Sequence, residues 1–210
     1  MSAARKFWYT SLKEIVDPEH TALVVWDCMN GLVKTIFNRE EFLSNLKSFI
    51  KAARKNGVPV VYTRIVPLPK GYESAWRTFN LMQRYGVDSP EKLPKLLEPG
   101  SPDAELNAEI APAGDEVVIP KSTTSIFIGT NFENLMRNRG ITTILFTGIA
   151  TEIGIDSSAR DSSNRGFYTV VVQDCVSSHD QEMHAAALKA LKTVSLVRPA
   201  KDILAEWKLK

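Results

Sequence analysis

The chain has 210 residues, of which 44% are hydrophobic and 24% are charged, and its formal net charge is +2. This composition suits a globular protein with one full core, and a near-neutral charge without a basic run argues against a nucleic-acid partner. The apolar stretches are strand-length, which argues against a membrane partner, and the N-terminus lacks the apolar core of a signal peptide. Two cysteines do not make a disulfide framework, so we predict a cytoplasmic location.

The first half of the chain begins with a β-α-β pattern. Residues 1–20 are predicted to form a capping arm, and residues 21–27 a buried strand that ends in an acid. An amphipathic helix is predicted at 40–56, because its apolar side chains recur at helical spacing, and a second strand at 58–66. The helix is long enough for a right-handed crossover between parallel strands.

The segment that follows, residues 67–114, is polar, rich in proline and less regular. We predict a short helix after a Pro/Gly loop, and otherwise a lid or wall over one edge of the sheet. The segment is too short for a second domain, so the prediction is a single domain over residues 1–210.

Strands and helices alternate again in the second half of the chain. Four more strands are predicted at 115–120, 142–147, 167–173 and 193–197. Four more helices are predicted at 127–139, 151–166, 181–192 and 200–210. Alternating strands and helices predict an α/β fold, with a mostly parallel sheet covered by helices on both faces.

Three residues just past the ends of predicted strands point to a functional site. Asp27 ends the first strand, Lys121 follows the third, and Gly154 lies in the turn after the fourth. Parallel strands bring such ends to one edge of the sheet, where open α/β sheets bind ligands. Asp27 alone could cap a helix, and Lys121 alone could be a solvated charge. Together, beside a turn with free backbone N–H groups, they predict a site.

The segments VVWDCMNG, VVIPKSTTSIF and TGIATEIG resemble those that carry the Asp–Lys–Cys triad of the isochorismatase-like (cysteine hydrolase) superfamily, which includes nicotinamidases and N-carbamoyl amidases. The resemblance covers residues 20–198 and implies a three-layer Rossmann-like fold with a six-stranded, mostly parallel sheet. The superfamily turn has the pattern G-[IV]-x-T-x-x-C, and Gly154 stands where the nucleophilic cysteine is expected.

The resemblance also implies how the turn is built. It implies a cis peptide bond between Ile149 and Ala150, with the N–H groups of Ala150 and Gly154 forming an oxyanion hole. True isochorismatases likewise have glycine at the cysteine position and cleave a vinyl ether, for which Asp27 would be the general acid. On this interpretation Gly154 enlarges the pocket by one side chain.

Residues after the second strand and in the turn are candidates for substrate binding. Arg64 and Arg77 are candidate carboxylate clamps, although either arginine could instead be an ordinary surface charge. Tyr72 and Trp76 are predicted to wall the pocket, and Thr151 begins the helix beside it.

No cofactor or metal is predicted, because the zinc motif of nicotinamidases after the second strand is absent and no other cluster has ligand spacing. Cys28 and Cys175 are predicted to be structural. Three functions stay open: vinyl-ether hydrolysis, an amidase that uses water activated by Asp27 and Lys121, and a non-catalytic binding protein. The predicted partners are a small-molecule substrate and further copies of the chain, as a dimer or tetramer.

Overall fold

The computed structural model describes residues 8–207, and its centre is a six-stranded sheet in which every paired strand is parallel. The strands are β1 Thr21–Trp26, β2 Val60–Ile65, β3 Val117–Lys121, β4 Thr143–Ile149, β5 Tyr168–Ser177 and β6 Leu196–Arg198. Their spatial order is β3-β2-β1-β4-β5-β6. The predicted α/β fold with a six-stranded parallel sheet is therefore confirmed.

Helices cover both faces of this sheet and make the fold three-layered. They are α1 Leu12–Ile15, α2 Asn30–Val33, α3 Arg39–Lys55, α4 Ala75–Tyr85, α5 Phe132–Asn138, α6 Asp156–Asn164, α7 Gln181–Leu191 and α8 Ala200–Trp207. Side chains of α3 and α8 share one core cluster with alternate residues of β1, such as Leu23 and Val25. Side chains of α5, α6 and α7 share the other cluster with Val24 and Trp26.

Several boundaries differ from the predicted ones for local reasons. The helix predicted from residue 127 begins at Phe132, because the hydroxyls of Ser125 and Thr130 accept hydrogen bonds from the N–H groups of Phe127 and Phe132 and so compete with helix formation. The strand predicted from residue 193 begins at Leu196, because α7 runs into further turns there. Residues 1–7 of the predicted arm and 208–210 of the last predicted helix lie outside the described residues.

The order of the strands reverses between β1 and β4, and their carboxyl ends form the crevice where such sheets bind ligands. Gly148, near the end of β4, has a φ of 113° and lies so close to β1 that a Cβ there would be 2.6 Å from the backbone nitrogen of Trp26. Glycine is needed at this position for both reasons. The two strands can therefore approach closely where the predicted site lies.

The segment between β2 and the end of the predicted lid is built differently from the sheet. Residues 66–103 include no buried residue, and α4 lies within them with none of its side chains buried. The rest of the predicted lid is anchored by three buried residues, Ala104, Asn107 and Ile110. Within residues 8–207, no helix combines the length and apolar character that a bilayer crossing requires.

Candidate active site

Asp27 lies directly beyond β1 in a left-handed conformation, with φ at 46°. Asparagine and aspartate tolerate this region better than other residues with side chains. The Thr63 hydroxyl on β2 donates a hydrogen bond of 2.6 Å to Asp27 Oδ1, and it accepts one of 2.9 Å from the Asp27 N–H. The carboxylate is thus fixed by a hydroxyl of the neighbouring strand.

Lys121, the last residue of β3, reaches across β2 to the same carboxylate. Its Nζ lies 2.7 Å from Asp27 Oδ2 and 3.2 Å from the carbonyl oxygen of Thr123. Both side chains are buried. The structure therefore brings together two residues that are 94 positions apart, as their places at strand ends predict.

Burial governs the protonation of this ion pair. Loss of solvent raises the pKa of the Asp27 carboxyl above its ordinary value, although Lys121 and the Thr63 hydrogen bond act in the opposite direction. Loss of solvent likewise lowers the pKa of Lys121, against the charge of Asp27. The two shifts bring the proton affinities of the pair closer together, which favours proton exchange.

The space beside Gly154 is filled by Trp26, the last residue of β1. A Cβ at position 154 would overlap Nε1 and Cε2 of the indole and lie 2.7 Å from Cζ2. The predicted larger pocket at Gly154 is therefore wrong: an indole, 1% exposed, takes the place where a side chain would stand. The other side of this indole is covered by Lys121, whose Nζ lies 4.0 Å from the ring centroid.

The turn after β4 connects the strand to α6 through one π-helical turn, Thr151–Ile155. The peptide bond between Ile149 and Ala150 is cis, which confirms that prediction. Thr151 is buried, and its hydroxyl donates to the carbonyl of Ser177 at 3.1 Å and bonds His184 Nδ1 at 2.8 Å. The Thr151 hydroxyl is thus directed toward β5 and α7.

Four residues of β2 and the following segment are predicted to bind substrate: two arginines that bond backbone carbonyls and two aromatic residues that are exposed. Arg64 Nη2 bonds the carbonyl of Ala104 at 3.4 Å. Tyr72 and Trp76 are 78% and 70% exposed. Arg77, which donates a 2.9 Å hydrogen bond to the carbonyl of Ser122, is the member of this set whose charge acts on both Asp27 and Lys121.

Both cysteines are buried in the core, as predicted. Burial raises the pKa of the Cys28 and Cys175 thiols well above their ordinary value, which keeps them in the unreactive protonated form. Among the described residues, no group of three or more His, Cys, Asp or Glu side chains is arranged to hold a metal ion.

Two residues of this site, Thr63 and Trp26, are absent from the sequence-based candidates. Thr63 has a signal in hindsight, since it is a hydroxyl near the carboxyl end of the second strand. Trp26 has a weaker signal, because an apolar residue at the end of a buried strand is an ordinary core residue.

The family model of the isochorismatase domain matches residues 21–200 of the chain. Among curated proteins, the chain is 30% identical over 174 residues to the ureidoacrylate amidohydrolase RutB of Agrobacterium fabrum, with 75% of each chain covered. It is 28% identical over 193 residues to the enzyme of that name from Pseudomonas syringae pv. syringae, with 84% of this chain and 78% of that one covered.

Solved structures show the same fold. An isochorismatase family protein from Burkholderia thailandensis superposes with a TM-score of 0.74 at 26% identity, over 90% of this chain and 96% of that one. A cysteine hydrolase from Pseudomonas syringae pv. phaseolicola superposes with a TM-score of 0.78 at 18% identity, over 100% and 99% of the two chains.

The sheet order and these matches define a hydrolytic enzyme with an α/β fold. The chain belongs to the isochorismatase family and is an isochorismatase-like hydrolase.

Proposed function

We propose that this hydrolase acts without a covalent enzyme intermediate and cleaves a vinyl ether of a small carboxylate, such as isochorismate, with Asp27 as the general acid. One observation carries the proposal: the indole of Trp26 lies against Gly154, while Asp27 and Lys121 form a buried pair beside it. A site of this kind has a proton donor and no enzyme nucleophile. A vinyl ether requires only a proton donor and water.

The proposed reaction has three stages: protonation of the substrate, addition of water and breakdown of the adduct. The Asp27 carboxyl gives its proton to the terminal carbon of the enol ether, and the resulting oxocarbenium ion is captured by water. Water then loses a proton to the Asp27 carboxylate, and the hemiketal breaks down to a ketone and an alcohol. General acid catalysis of this type is worth about 10²–10⁴-fold.

The electrostatics of the pair support an acid role for Asp27. A carboxyl must be protonated to act as an acid, and burial raises the pKa of Asp27 even beside Lys121. Once the proton has moved to the substrate, the Lys121 ammonium at 2.7 Å stabilises the new carboxylate. We therefore assign Lys121 the role of a fixed counter-charge for Asp27.

Recognition of the substrate is assigned to residues around the pair. Arg77, whose charge acts on Asp27, is the first candidate for a carboxylate of the substrate, and Arg64 is the second. The N–H groups of Ala150 and Gly154 are assigned to a substrate oxygen, and Tyr72, Trp76 and Thr151 to its remaining surroundings. These assignments rest on position in the sequence and on the family resemblance.

Access to the buried pair is assigned to the segment after β2. Because residues 66–103 contribute no buried side chain, their displacement opens no core. The ends of the segment can stay attached, since Val66 donates to the carbonyl of Lys121 at 2.9 Å and Asp103 pairs with Lys34. Opening breaks the hydrogen bond from Arg77 to the carbonyl of Ser122, and closing returns Arg77 to the site.

A second candidate is hydrolysis of a small amide or ureido compound by water activated at the Asp27–Lys121 pair. The activity for which the relatives are named, ureidoacrylate amidohydrolase at 28–30% identity, favours it. It is harder to achieve at this site, because an amide resists attack by water when no covalent intermediate divides the reaction into two easier steps.

The test is pyruvate release from isochorismate between about pH 6 and pH 9, alongside ammonia release from a panel of small amides that includes ureidoacrylate. We compare the wild type with Asp27→Asn, and use Asp156→Asn as the matched control. Asp156 lies on α6 and pairs with Arg160 at 2.8 Å. It is not one of the hydrogen-bond partners of Lys121, which are Asp27 and Thr123.

Pyruvate release that is lost in Asp27→Asn and kept in Asp156→Asn would support the vinyl-ether reaction. Its rate is expected to fall as the pH rises, because Asp27 then loses the proton that it must donate. Ammonia release from an amide without any pyruvate would transfer the assignment to the second candidate. A wild type that is inactive on both sets would contradict both.

A further inference from the structure

We propose that Trp26 is a positioning residue of this site: the face of its indole holds the Lys121 side chain as an ammonium ion beside Asp27, and its edge takes the space next to Gly154. The consequence for turnover rests on the proposed function. The effect on Lys121 does not, and it can be measured without a substrate.

The first support is the surroundings of the Lys121 ammonium. It contacts the Asp27 carboxylate at 2.7 Å, the carbonyl of Thr123 at 3.2 Å and the Trp26 ring, with its centroid 4.0 Å away. The positive charge of Arg77 also acts on it and disfavours the ammonium. Since the lysine is buried, water does not supply the rest of its solvation. A cation over an indole gains most when it is desolvated in this way, and tryptophan is the best aromatic partner.

The second support is the need for a cation during the proposed reaction. When Asp27 gives up its proton, the charge of Lys121 is the largest influence that stabilises the carboxylate left behind, ahead of the Thr63 hydrogen bond. Burial lowers the pKa of Lys121 and so acts against the charged form. Contact with the indole face favours the ammonium and opposes that loss.

The third support is the way in which the ring is held. Gly154 lies in a helical turn, and its φ is outside the left-handed region, so its backbone does not require glycine. The side chain is excluded only because the Nε1–Cε2 edge of Trp26 is there. With that edge against the turn and the stem fixed in β1, the ring turns its face to Lys121.

These contacts give one side chain two effects. The indole edge excludes any nucleophilic side chain from position 154, and the indole face keeps the neighbouring lysine ionised for proton transfer. Trp26 thereby favours an acid–base reaction over a covalent one.

The experiment replaces tryptophan with 5-fluoro- and 5,6-difluorotryptophan throughout the intact protein. Fluorine withdraws electron density from the ring face with little change in shape, and positions 5 and 6 lie away from the edge that contacts Gly154. The pKa of Lys121 is read from the NMR titration of its labelled ε-carbon, assigned by its absence from Lys121→Arg. Lys34, an exposed lysine, is the internal control.

A desolvated contact of this kind is worth about 1.5 pKa units in total. We expect the Lys121 pKa to fall by about 0.3 unit for each fluorine, while Lys34 stays unchanged. In Trp26→Phe, position 26 carries no fluorine, so the dependence on fluorination should disappear even though the other three tryptophans are still substituted.

A Lys121 titration that is the same with no, one or two fluorines would overturn the proposal, whatever the activity. If the titration moves with fluorination while isochorismate and the amides stay intact, the role of Trp26 stands and the proposed function fails. If turnover depends on Asp27 while the titration is indifferent to fluorine, the proposed function stands and the role of Trp26 fails.

Discussion

The Asp27–Lys121 pair and the 66–103 segment both lie near the carboxyl edge of the sheet, but they are built in opposite ways. The pair and its neighbours Thr63 and Trp26 are all buried and directly bonded or packed. The segment buries none of its residues. Moving Asp27 or Lys121 would therefore require reorganisation of packed residues of the sheet, whereas the segment can be displaced at a smaller cost in free energy.

The largest effect expected around the Asp27–Lys121 pair comes from adding one methyl group at Gly154, and Gly31, another glycine with an ordinary backbone conformation, is the comparison. Gly154→Ala places a Cβ in the rigid indole and should lower the free energy of unfolding by about 3 kcal/mol. Gly31→Ala, on α2, meets the end of the Leu97 side chain at 2.9 Å, and its Cβ lies 3.1 Å from Cβ and 3.3 Å from the carbonyl oxygen of Asp103 at the end of the same exposed segment. Because both residues belong to the exposed segment and can shift, the cost should stay below about 1 kcal/mol.

Denaturant unfolding measures both changes, and a Trp26→Ala background provides the control. Without the indole, Gly154→Ala should instead stabilise the protein by about 0.5–1 kcal/mol, since alanine favours a helical turn. Equal costs with and without the indole would contradict the packing at Gly154.

Thr63→Val tests how firmly the Asp27–Lys121 pair is held by its buried neighbours. It removes the hydroxyl that bonds both Oδ1 and the N–H of Asp27 with little change in volume, and it should cost about 1–3 kcal/mol of stability. The lost hydrogen bond favoured the carboxylate form, so the pKa of Asp27 should rise further. Asp27 then keeps its proton to higher pH, and the falling limb of the pH–rate profile should move upward.

The same variant gives a clear contrary result. A pH–rate limb that moves downward, or stays in place while the protein is folded, would show that Asp27 is not the acid whose ionisation limits the rate. Thr169→Val is the matched control. The Thr169 hydroxyl is also buried, but it lies at the start of β5 and donates to the hydroxyl of Ser162 on α6.

A smaller effect is expected on the exposed segment. Trp76→Ser on α4 should change the free energy of unfolding of the single chain by no more than about 0.5 kcal/mol, because the ring is 70% exposed and the two residues have similar helix propensities. Phe49→Ala in α3, which empties a fully buried site, should cost about 3–5 kcal/mol.

Sedimentation of the Trp76→Ser protein extends this test to the predicted homo-oligomer. A fall in mass together with a stability loss above about 1 kcal/mol would place α4 in an interface between copies. That result would contradict the view that the segment is loosely held.

The smallest effect is expected from thiol reagents. Burial raises the pKa of Cys28 and Cys175, so little thiolate is present at neutral pH and alkylation of the native protein should be negligible. Mass spectrometry after iodoacetamide should show no adduct on either cysteine until denaturant is added, with activity unchanged. Rapid labelling of native Cys28 with loss of activity would reveal a substitute nucleophile.

The sequence predicts the position of the pair because that prediction needs only the order of strands and their ends. Asp27 and Lys121 each follow an apolar run, and parallel strands bring such ends together. Thr63 could not be selected in this way, since its role depends on β2 lying beside β1, which the sequence alone leaves open.

Trp26 shows where prediction from the sequence fails more seriously. Gly154 predicts extra space if only its own side chain is considered, but the volume is decided by a residue 128 positions earlier on another strand. The direction of the Trp26 side chain depends on which face of β1 packs against α6, and this is known only once the layers are assembled. Packing of distant side chains is the information that local patterns lack.

The overlap between the Trp26 edge and position 154 also restricts the order in which the two residues can change. A side chain at 154 and an indole at 26 exclude each other, so a single substitution at 154 in this protein meets the ring. A path between a thiol-bearing and an indole-bearing arrangement must therefore pass through a chain that is small at both positions. To place a thiol at position 154 again, residue 26 must first change to a smaller side chain. We therefore expect positions 26 and 154 to change together in evolution.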